Sequence, residues 1–332
     1  MQEFVTTKEQ QVPSTGSRKL MNASIEQNEG GGIESKCLKK SQTVYYRTTP
    51  KYLVIIVFLS LGLFNVGCSK TTFSYNQLDW LLPWYLNRFV NLDQHQERYL
   101  DSLLSPFLDW HRAEELPKYL ETFKDFEGLI DDEVMYADLE RLEDEIEHAW
   151  VRLERRSLDW LINLATILSD KQVEDFLQKL KKQQNKYEKK YLPRTDVEFV
   201  ENARKELRGI LKKYLGSITP EQGEFIDSQL ADLKRSDRTW LDERTRWIDR
   251  VEQALERKLG WQDNLKELLL DRGKNLSEDY LMVYEWNTSV LRNIVVRNLN
   301  SRSKKQDGKL RKELTKWQRD IETLIAQSND RS

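Results

Sequence analysis

The chain has 332 residues, a formal net charge of −2 and a charged fraction of 33%, above the roughly 25% of an average globular protein. Its 13 glycines and 7 prolines are too few for sandwiches, barrels or doubly wound sheets, which need turn residues about every ten positions. The balanced charge argues against a dedicated nucleic-acid-binding domain, so no nucleic-acid partner is expected. This composition predicts an all-α fold, an elongated bundle of long helices.

Residues 1–50 form a polar leader with three consecutive glycines, Gly30 to Gly32, and no apolar periodicity. Such a segment cannot bury enough apolar surface to fold, so we expect it to be disordered if it is translated. A leader of this length is unusual before a signal peptide, and a translation start near Val44 is the alternative.

A twelve-residue apolar run, residues 53–64, follows the leader and is preceded by basic residues. Twelve helical residues span about 18 Å, short of the ~30 Å hydrocarbon core of a bilayer. The run therefore fits the hydrophobic region of a signal peptide, and residues 51–67 are predicted to be that signal.

The motif Asn65-Val66-Gly67-Cys68 closes the run and resembles the lipobox of bacterial lipoprotein signal peptides. Asn65 departs from the family pattern, which usually has leucine or another apolar residue there. The resemblance implies that Cys68 carries a lipid such as palmitate and begins the mature chain. Ser69, by resemblance to Gram-negative lipoproteins, implies an outer-membrane lipoprotein facing the periplasm. An uncleaved anchor is the alternative, because the 18 residues 52–69 carry no charge and can just span a bilayer.

An aromatic segment, residues 75–93, comes next, with apolar residues three and four apart, as in an amphipathic helix interrupted at Pro83. We expect it to pack onto the bundle, with Asp79, Asn87 and Arg88 on its polar face. The headgroup zone of the membrane, where Trp and Tyr are enriched, is the alternative partner. An aromatic segment so soon after Cys68 resembles the arrangement in a group of uncharacterised Gram-negative lipoproteins. That resemblance implies no activity.

Four helix starts carry a capping box, in which an N-cap side chain and the N3 side chain satisfy each other's backbone amides. Three of them have an apolar residue before the N-cap and glutamine at N3, and are similar to the Leu-Thr-x-x-Gln signature of small helical periplasmic chaperones. Capping alone is the alternative explanation, because any helix start favours this pattern. The three pairs are Asp93 with Gln96, Ser169 with Gln172, and Thr219 with Gln222; Thr195 with Glu198 is the fourth box.

Residues 129–192 contain neither glycine nor proline and carry a long apolar stripe at helical spacing. With the aromatic segment, they predict that residues 68–332 form a single elongated helical domain. Further helices are predicted at about 93–112, 117–128, 170–191, 196–215, 220–259, 261–298 and 304–327.

Glu145 and His148 are the one Glu-x-x-His pair in the chain. Di-iron helical bundles use this spacing, but they need two such motifs and two further glutamates. We therefore expect no metal, no cofactor and no catalysis, and interpret His148 as part of a solvated acidic face. A metal-dependent helical-bundle enzyme centred on Glu145 and His148 is the alternative.

Charge is segregated along the chain. Residues 125–147 hold eleven acidic residues and one arginine, whereas residues 292–319 hold ten basic and two acidic residues. Three interpretations are open: the two blocks face each other, they are separate solvated faces, or the basic block binds an anionic polymer or lipid headgroup. The basic residues proposed for such a surface are Arg292, Arg297, Arg302, Lys304, Lys305, Lys309, Arg311 and Lys312.

These patterns together predict a non-catalytic, lipid-anchored envelope protein with a binding, scaffolding or chaperone-like role on the periplasmic side of the outer membrane. Its expected partners are the membrane, through the lipid, and a protein or anionic component of the envelope.

Overall fold

The computed structural model describes residues 70–329 except 272 and 274. The predicted leader, signal peptide and Cys68 lie outside the described residues. Every described element is a helix, which confirms the predicted all-α class. In chain order the elements are α1 (Lys70–Asn76), α2 (Leu78–Asn87), α3 (Gln94–Trp110), a π-helix (His111–Glu115), α4 (Leu116–Leu129), α5 (Tyr136–Ile167), α6 (Asp170–Tyr191), α7 (Asp196–Leu215), α8 (Pro220–Leu230), α9 (Asp237–Ala254), α10 (Trp261–Leu270), α11 (Glu278–Asn300) and α12 (Lys304–Asn329).

The 32-residue α5 is the longest described helix and packs against α3, α4, α10 and α11. Helix α9 contacts α6, α10 and α11, while α12 contacts α1, α4 and α7. None of the described helices is both long and apolar enough to cross a membrane.

The apolar stripes of these helices form several buried clusters rather than one. The largest joins α5, α7, α8, α11 and α12 around Ile226, Leu230 and Ile294, all fully buried. A second cluster joins α2, α3 and α5 around Leu100 and Leu104. A third joins α4 and α12 through Leu116, Ile321 and Leu324.

The chain leaves the helical conformation between α4 and α5 without a proline or glycine at the break. Instead, Asn300 at the end of α11 binds both backbone groups of Val134: Val134 N–H donates to Asn300 Oδ1 at 2.9 Å, and Asn300 Nδ2 donates to the Val134 carbonyl at 2.8 Å. The side-chain amide thus replaces the helical hydrogen bonds that the break removes.

The prediction of one helix over 220–259 is wrong, because the chain breaks after Leu230. Asn287 of α11, 2% exposed, accepts the Lys234 N–H at 2.8 Å and donates to the Lys234 carbonyl at 2.7 Å. Trp286 Nε1 also donates to the Asp232 carbonyl at 2.6 Å. Contacts distant in sequence therefore decide this break.

The prediction of one helix over 261–298 is also wrong, since α10 ends at Leu270 and α11 begins after Ser277. Ser277 is the N-cap residue of α11, and its hydroxyl accepts the Tyr280 N–H at 3.3 Å. The buried carboxylate of Glu243 in α9 accepts both the backbone N–H and the hydroxyl of Ser277 at 2.7 Å. The new helix start is thus fixed by α9.

Candidate functional site

A buried polar cluster surrounds the π-helix between α3 and α4. In this wide turn, Leu116 N–H donates to the carbonyl of His111, five residues back. Pro117 follows and lacks the N–H that an α-helix would direct to the carbonyl of Ala113, so the regular hydrogen-bond ladder cannot continue through this point. π-Helical turns occur frequently at functional sites, which makes the side chains here a candidate site.

His111 lies between two tyrosines within this cluster. The hydroxyl of Tyr75 in α1 is 2.7 Å from Nδ1 of His111, and the hydroxyl of Tyr119 in α4 is 3.5 Å from Nε2. Burial lowers the pKa of His111 to about 4, the Glu115 carboxylate opposes this shift, and the Arg112 guanidinium adds to it. The imidazole is therefore neutral at pH 7, and burial raises the pKa of both tyrosines well above the usual value.

Two charged residues of the π-helix complete the cluster. The fully buried Glu115 accepts from Arg152 at 2.9 and 3.0 Å and from Lys118 at 2.8 Å. Burial alone would raise the pKa of Glu115, but these hydrogen bonds outweigh it and hold that pKa below its usual value. The carboxylate is therefore ionised and neutralised within the fold.

Arg112, 7% exposed, connects the π-helix to both ends of the described chain. Its guanidinium donates to Asn76 Oδ1 at 2.8 Å and to the Leu324 carbonyl at 3.3 Å, and lies 4.9 Å from the centre of the Tyr75 ring. Asn76 in turn donates to Gln327 Oε1 at 2.9 Å. We interpret the cluster as a structural connection that holds α1, the π-helix and α12 together.

The sequence did not predict this cluster. Nothing in the spacing of Tyr75, His111 and Arg152 brings them together, because they lie on three different helices. The one local signal was Pro117, which follows His111 by six residues within an otherwise helical pattern.

A second candidate site is the aromatic surface, which we define as Phe73, Trp80, Trp84 and Tyr85. These side chains are 67%, 61%, 51% and 50% exposed, respectively. The rings of Trp80 and Trp84 stack at 6.2 Å between centroids, and Arg88 lies 5.6 Å above the Trp84 ring. Two of the four exposed rings are therefore in direct contact with each other.

The opposite side of α1 and α2 packs inward. Leu82, Leu86 and Phe89 lie against the cluster of Leu100 and Leu104, which confirms that the segment packs onto the bundle. The prediction of a polar outer face is wrong in part. Asp79 and Arg88 are exposed as expected, but aromatic rings occupy most of the same side.

A third candidate is an open groove of about 520 Å³ along the first turns of α11. Met282 and Trp286 are 54% and 45% exposed there, and the ammonium of Lys234 lies 4.5 Å from the Trp286 ring centre. The lining mixes apolar and charged side chains and is open to solvent. The lining residues are Lys234, Glu278, Leu281, Met282, Glu285, Trp286 and Ser289.

The structure places the three predicted capping pairs as reciprocal boxes at the starts of α3, α6 and α8. Two of these boxes are also joined to each other. Gln96 Nε2 donates to Gln172 Oε1 at 3.0 Å, and Gln172 Nε2 donates to Gln96 Oε1 at 2.7 Å. The remaining amide hydrogens reach the carbonyls of Ile167 and Asn91. The glutamines thus cap their own helices and hold two helix starts together.

The third pair, Thr219 and Gln222, has an equivalent partner that the sequence prediction missed. Ser303 and Gln306 form a box at the start of α12, with N–H to side-chain distances of 2.9 and 3.3 Å. Gln306 Nε2 donates to Gln222 Oε1 at 2.8 Å, and Gln222 Nε2 donates back at 3.3 Å. The Ser-x-x-Gln spacing was present, but Arg302 stands where the other copies have an apolar residue.

Part of the basic block is engaged within the fold. Arg292 is 5% exposed and donates to Glu140 at 2.9 Å and to Glu143 at 2.6 and 3.1 Å. Arg311 pairs with Asp131 at 2.8 Å. These contacts join the basic and acidic blocks directly, and Arg292 is not available to an outside partner.

Other members of the block divide between internal pairs and the surface. Arg302 pairs with Asp307 at 2.7 Å and also binds the Ile130 carbonyl, while Lys309 pairs with Glu313. The members with exposed side chains are Arg297, Lys304, Lys305 and Lys312. The surface left for an anionic partner is therefore smaller than the sequence suggested.

Glu145 and His148 are both exposed on α5. Within the part of the chain that the structure describes, no group of three or more His, Cys, Asp or Glu side chains could hold a metal ion. The geometry thus offers no support for a metal centre at this pair.

Comparison with known proteins gives one family match. Residues 88–281 match the model of a family described as a family of unknown function, DUF6279. The matched part runs from the end of α2 into the start of α11 and contains the π-helix. No curated protein and no solved structure matches the chain. Because the match covers more than half of the chain, the protein belongs to DUF6279, a family of unknown function.

Proposed function

We propose that the protein is a lipid-anchored, non-catalytic binding or scaffolding protein of the bacterial envelope. In this proposal Cys68 carries the lipid at the outer membrane, and the helical bundle faces the periplasm. The observation that carries it is the apolar run 53–64, closed by Gly67-Cys68 directly before α1.

The position of α1 in the bundle fits a lipid anchor at Cys68. Helix α1 starts two residues after Cys68 and is tied to the π-helix and α12 through Tyr75 and Asn76. A lipid on Cys68 would therefore hold the folded bundle close to the bilayer and not at the end of a long tether. More than one acyl chain is needed for stable attachment, and a triacylated Cys68, as in the bacterial lipoproteins that the lipobox resembles, would supply it.

A binding role has more support than catalysis in the described residues. In the buried cluster around His111 the carboxylate of Glu115 is paired with Arg152 and Lys118, and Glu145 and His148 lie on the solvent-exposed side of α5. The open groove at Trp286 and the exposed basic residues near the start of α12 offer surfaces for a protein or anionic partner. A chaperone-like role would use the groove.

Metabolic labelling with an alkyne-bearing fatty acid tests the proposal. The wild-type chain should take up the label and lose residues 1–67, whereas Cys68→Ser should remain unlabelled and unprocessed. A Cys68→Ser protein that still matures to the wild-type mass would contradict the lipobox assignment. Metal analysis of the purified protein separates this proposal from the alternative enzyme, since stoichiometric iron, manganese or zinc would support the latter.

A further inference from the structure

The helices α1 and α2 are apolar on two sides. Their inner side carries Tyr75, Leu82 and Leu86, which pack into the bundle. Their outer side carries the aromatic surface, with Phe73 on α1 and the stacked rings of Trp80 and Trp84 at i and i+4 on α2. A helix that is apolar all round belongs in an environment that covers both sides. The bundle covers only one of them.

We infer that the aromatic surface lies in the interfacial region of a lipid bilayer; this inference rests on the proposed function. Helix α1 begins at residue 70, directly after the uncharged stretch 52–69. Whether that stretch is cleaved before an acylated Cys68 or stays in the membrane, residue 70 is delivered to the bilayer surface. Phe73 is then within about 10 Å of it, even for a fully extended chain.

The chemistry of the surface fits the interface between hydrocarbon and water. Tryptophan and tyrosine, three of its four residues, are enriched at that depth because each has an apolar ring and a polar group. Arg88 at its edge and Asp79 within it keep the patch nearly neutral, so apolar contact and not charge would carry the binding.

The length of the surface fixes its orientation. Trp80 and Tyr85 are five residues apart on α2, or about 7.5 Å along the helix, and Phe73 lies on the preceding α1. The headgroup region on each side of the hydrocarbon core is only about 5 to 7 Å deep. All four rings reach this region together only if α1 and α2 lie along the membrane plane, as interfacial helices do. The bundle then rests on the membrane on one defined side.

Quenching of tryptophan emission by brominated acyl chains tests the inference. The full-length protein, purified with its native processing, is reconstituted in vesicles of phosphatidylethanolamine and phosphatidylglycerol with and without brominated lipid. The wild type should lose emission on brominated lipid, and the double variant Trp80→Phe/Trp84→Phe should lose none beyond a non-brominated control. Phenylalanine keeps an aromatic ring at both exposed positions, so the fold should be retained.

Trp286→Phe is the matched control, because Trp286 is 45% exposed but lies in the groove on α11. It should keep the full wild-type quenching. Flotation of the vesicles separates the two proposals. Protein that does not float overturns the anchor and this inference together. Protein that floats while Trp80 and Trp84 contribute no quenching overturns this inference alone. Shielding of both rings from brominated lipid and aqueous acrylamide would show that a protein surface covers them, and would also overturn it.

Discussion

Acidification should destabilise the protein through His111. Its pKa is about 4 in the folded state and about 6.5 when the imidazole is in water. The unfolded chain therefore binds a proton more readily, so the contribution of His111 to stability is complete above pH 6.5 and falls as the pH is lowered toward 4. At about 1.4 kcal/mol per pKa unit, the total over about 2.5 units is about 3.5 kcal/mol, of which about 2 kcal/mol is lost by pH 5.

The reason lies in the burial of the imidazole. The neutral ring lies 2.7 Å from the Tyr75 hydroxyl, and a protonated ring would be a cation buried beside Arg112. Protonation should therefore loosen α1, which contacts this cluster through Tyr75 and Asn76.

Urea unfolding at pH 8, 7, 6 and 5 measures this effect, and His111→Gln isolates it, because glutamine keeps a neutral amide between the tyrosines. The stability difference between wild type and variant should shrink by about 2 kcal/mol from pH 8 to pH 5. If the curves of wild type and His111→Gln stay parallel over this range, His111 is not the titrating group.

Further substitutions test the helix breaks and helix starts. Asn287→Ala should lower the free energy of unfolding by about 2 kcal/mol in urea titrations, because it leaves two backbone groups of the loop after α8 without partners. Asn293→Ala, on the exposed side of α11, is the control and should change the free energy of unfolding by less than about 0.5 kcal/mol. Thr219→Ala should cost about 0.5 to 2 kcal/mol and Thr219→Gly only a few tenths, measured by thermal unfolding; equal effects of the two would contradict the capping role. Gln96→Ala and Gln172→Ala should be strongly non-additive in a double-mutant cycle, with a coupling of about 0.5 kcal/mol or more, and additive losses would show that the two boxes act separately.

Local patterns were sufficient to predict the helices that begin at a capping box. The starts of α3, α6, α7 and α8 fall within one residue of their predicted positions, because the N-cap and N3 residues that fix them are neighbours in the sequence. The break at Lys234 could not be predicted in this way. It depends on Asn287 of α11, which lies 53 residues away and is brought to the loop only by folding.

In the candidate sites, too, some features follow from neighbouring residues and others depend on contacts made only on folding. The aromatic segment was recognisable from composition, and its inner stripe at Leu82 and Leu86 from helical spacing. Which of its rings stay outside depends on the shape of the bundle beneath them, which no local pattern contains. The pairing of Gln96 with Gln172 was hidden for the same reason, although both motifs were identified separately.

Because α12 packs against α1, this end of the bundle can fold only after the C-terminal helix is present. Tyr75 lies in the cluster formed by Ile321 and Leu324, and Asn76 binds Gln327, about 250 residues later in the chain. The docking surface for α1 is therefore incomplete until the last helix has been synthesised and has closed against α4. Closing so long a loop has a high entropic cost, so this end of the bundle should form late. Until then the inner side of α1 stays exposed together with the aromatic surface, and a nascent chain is most prone to aggregation at this end of the bundle.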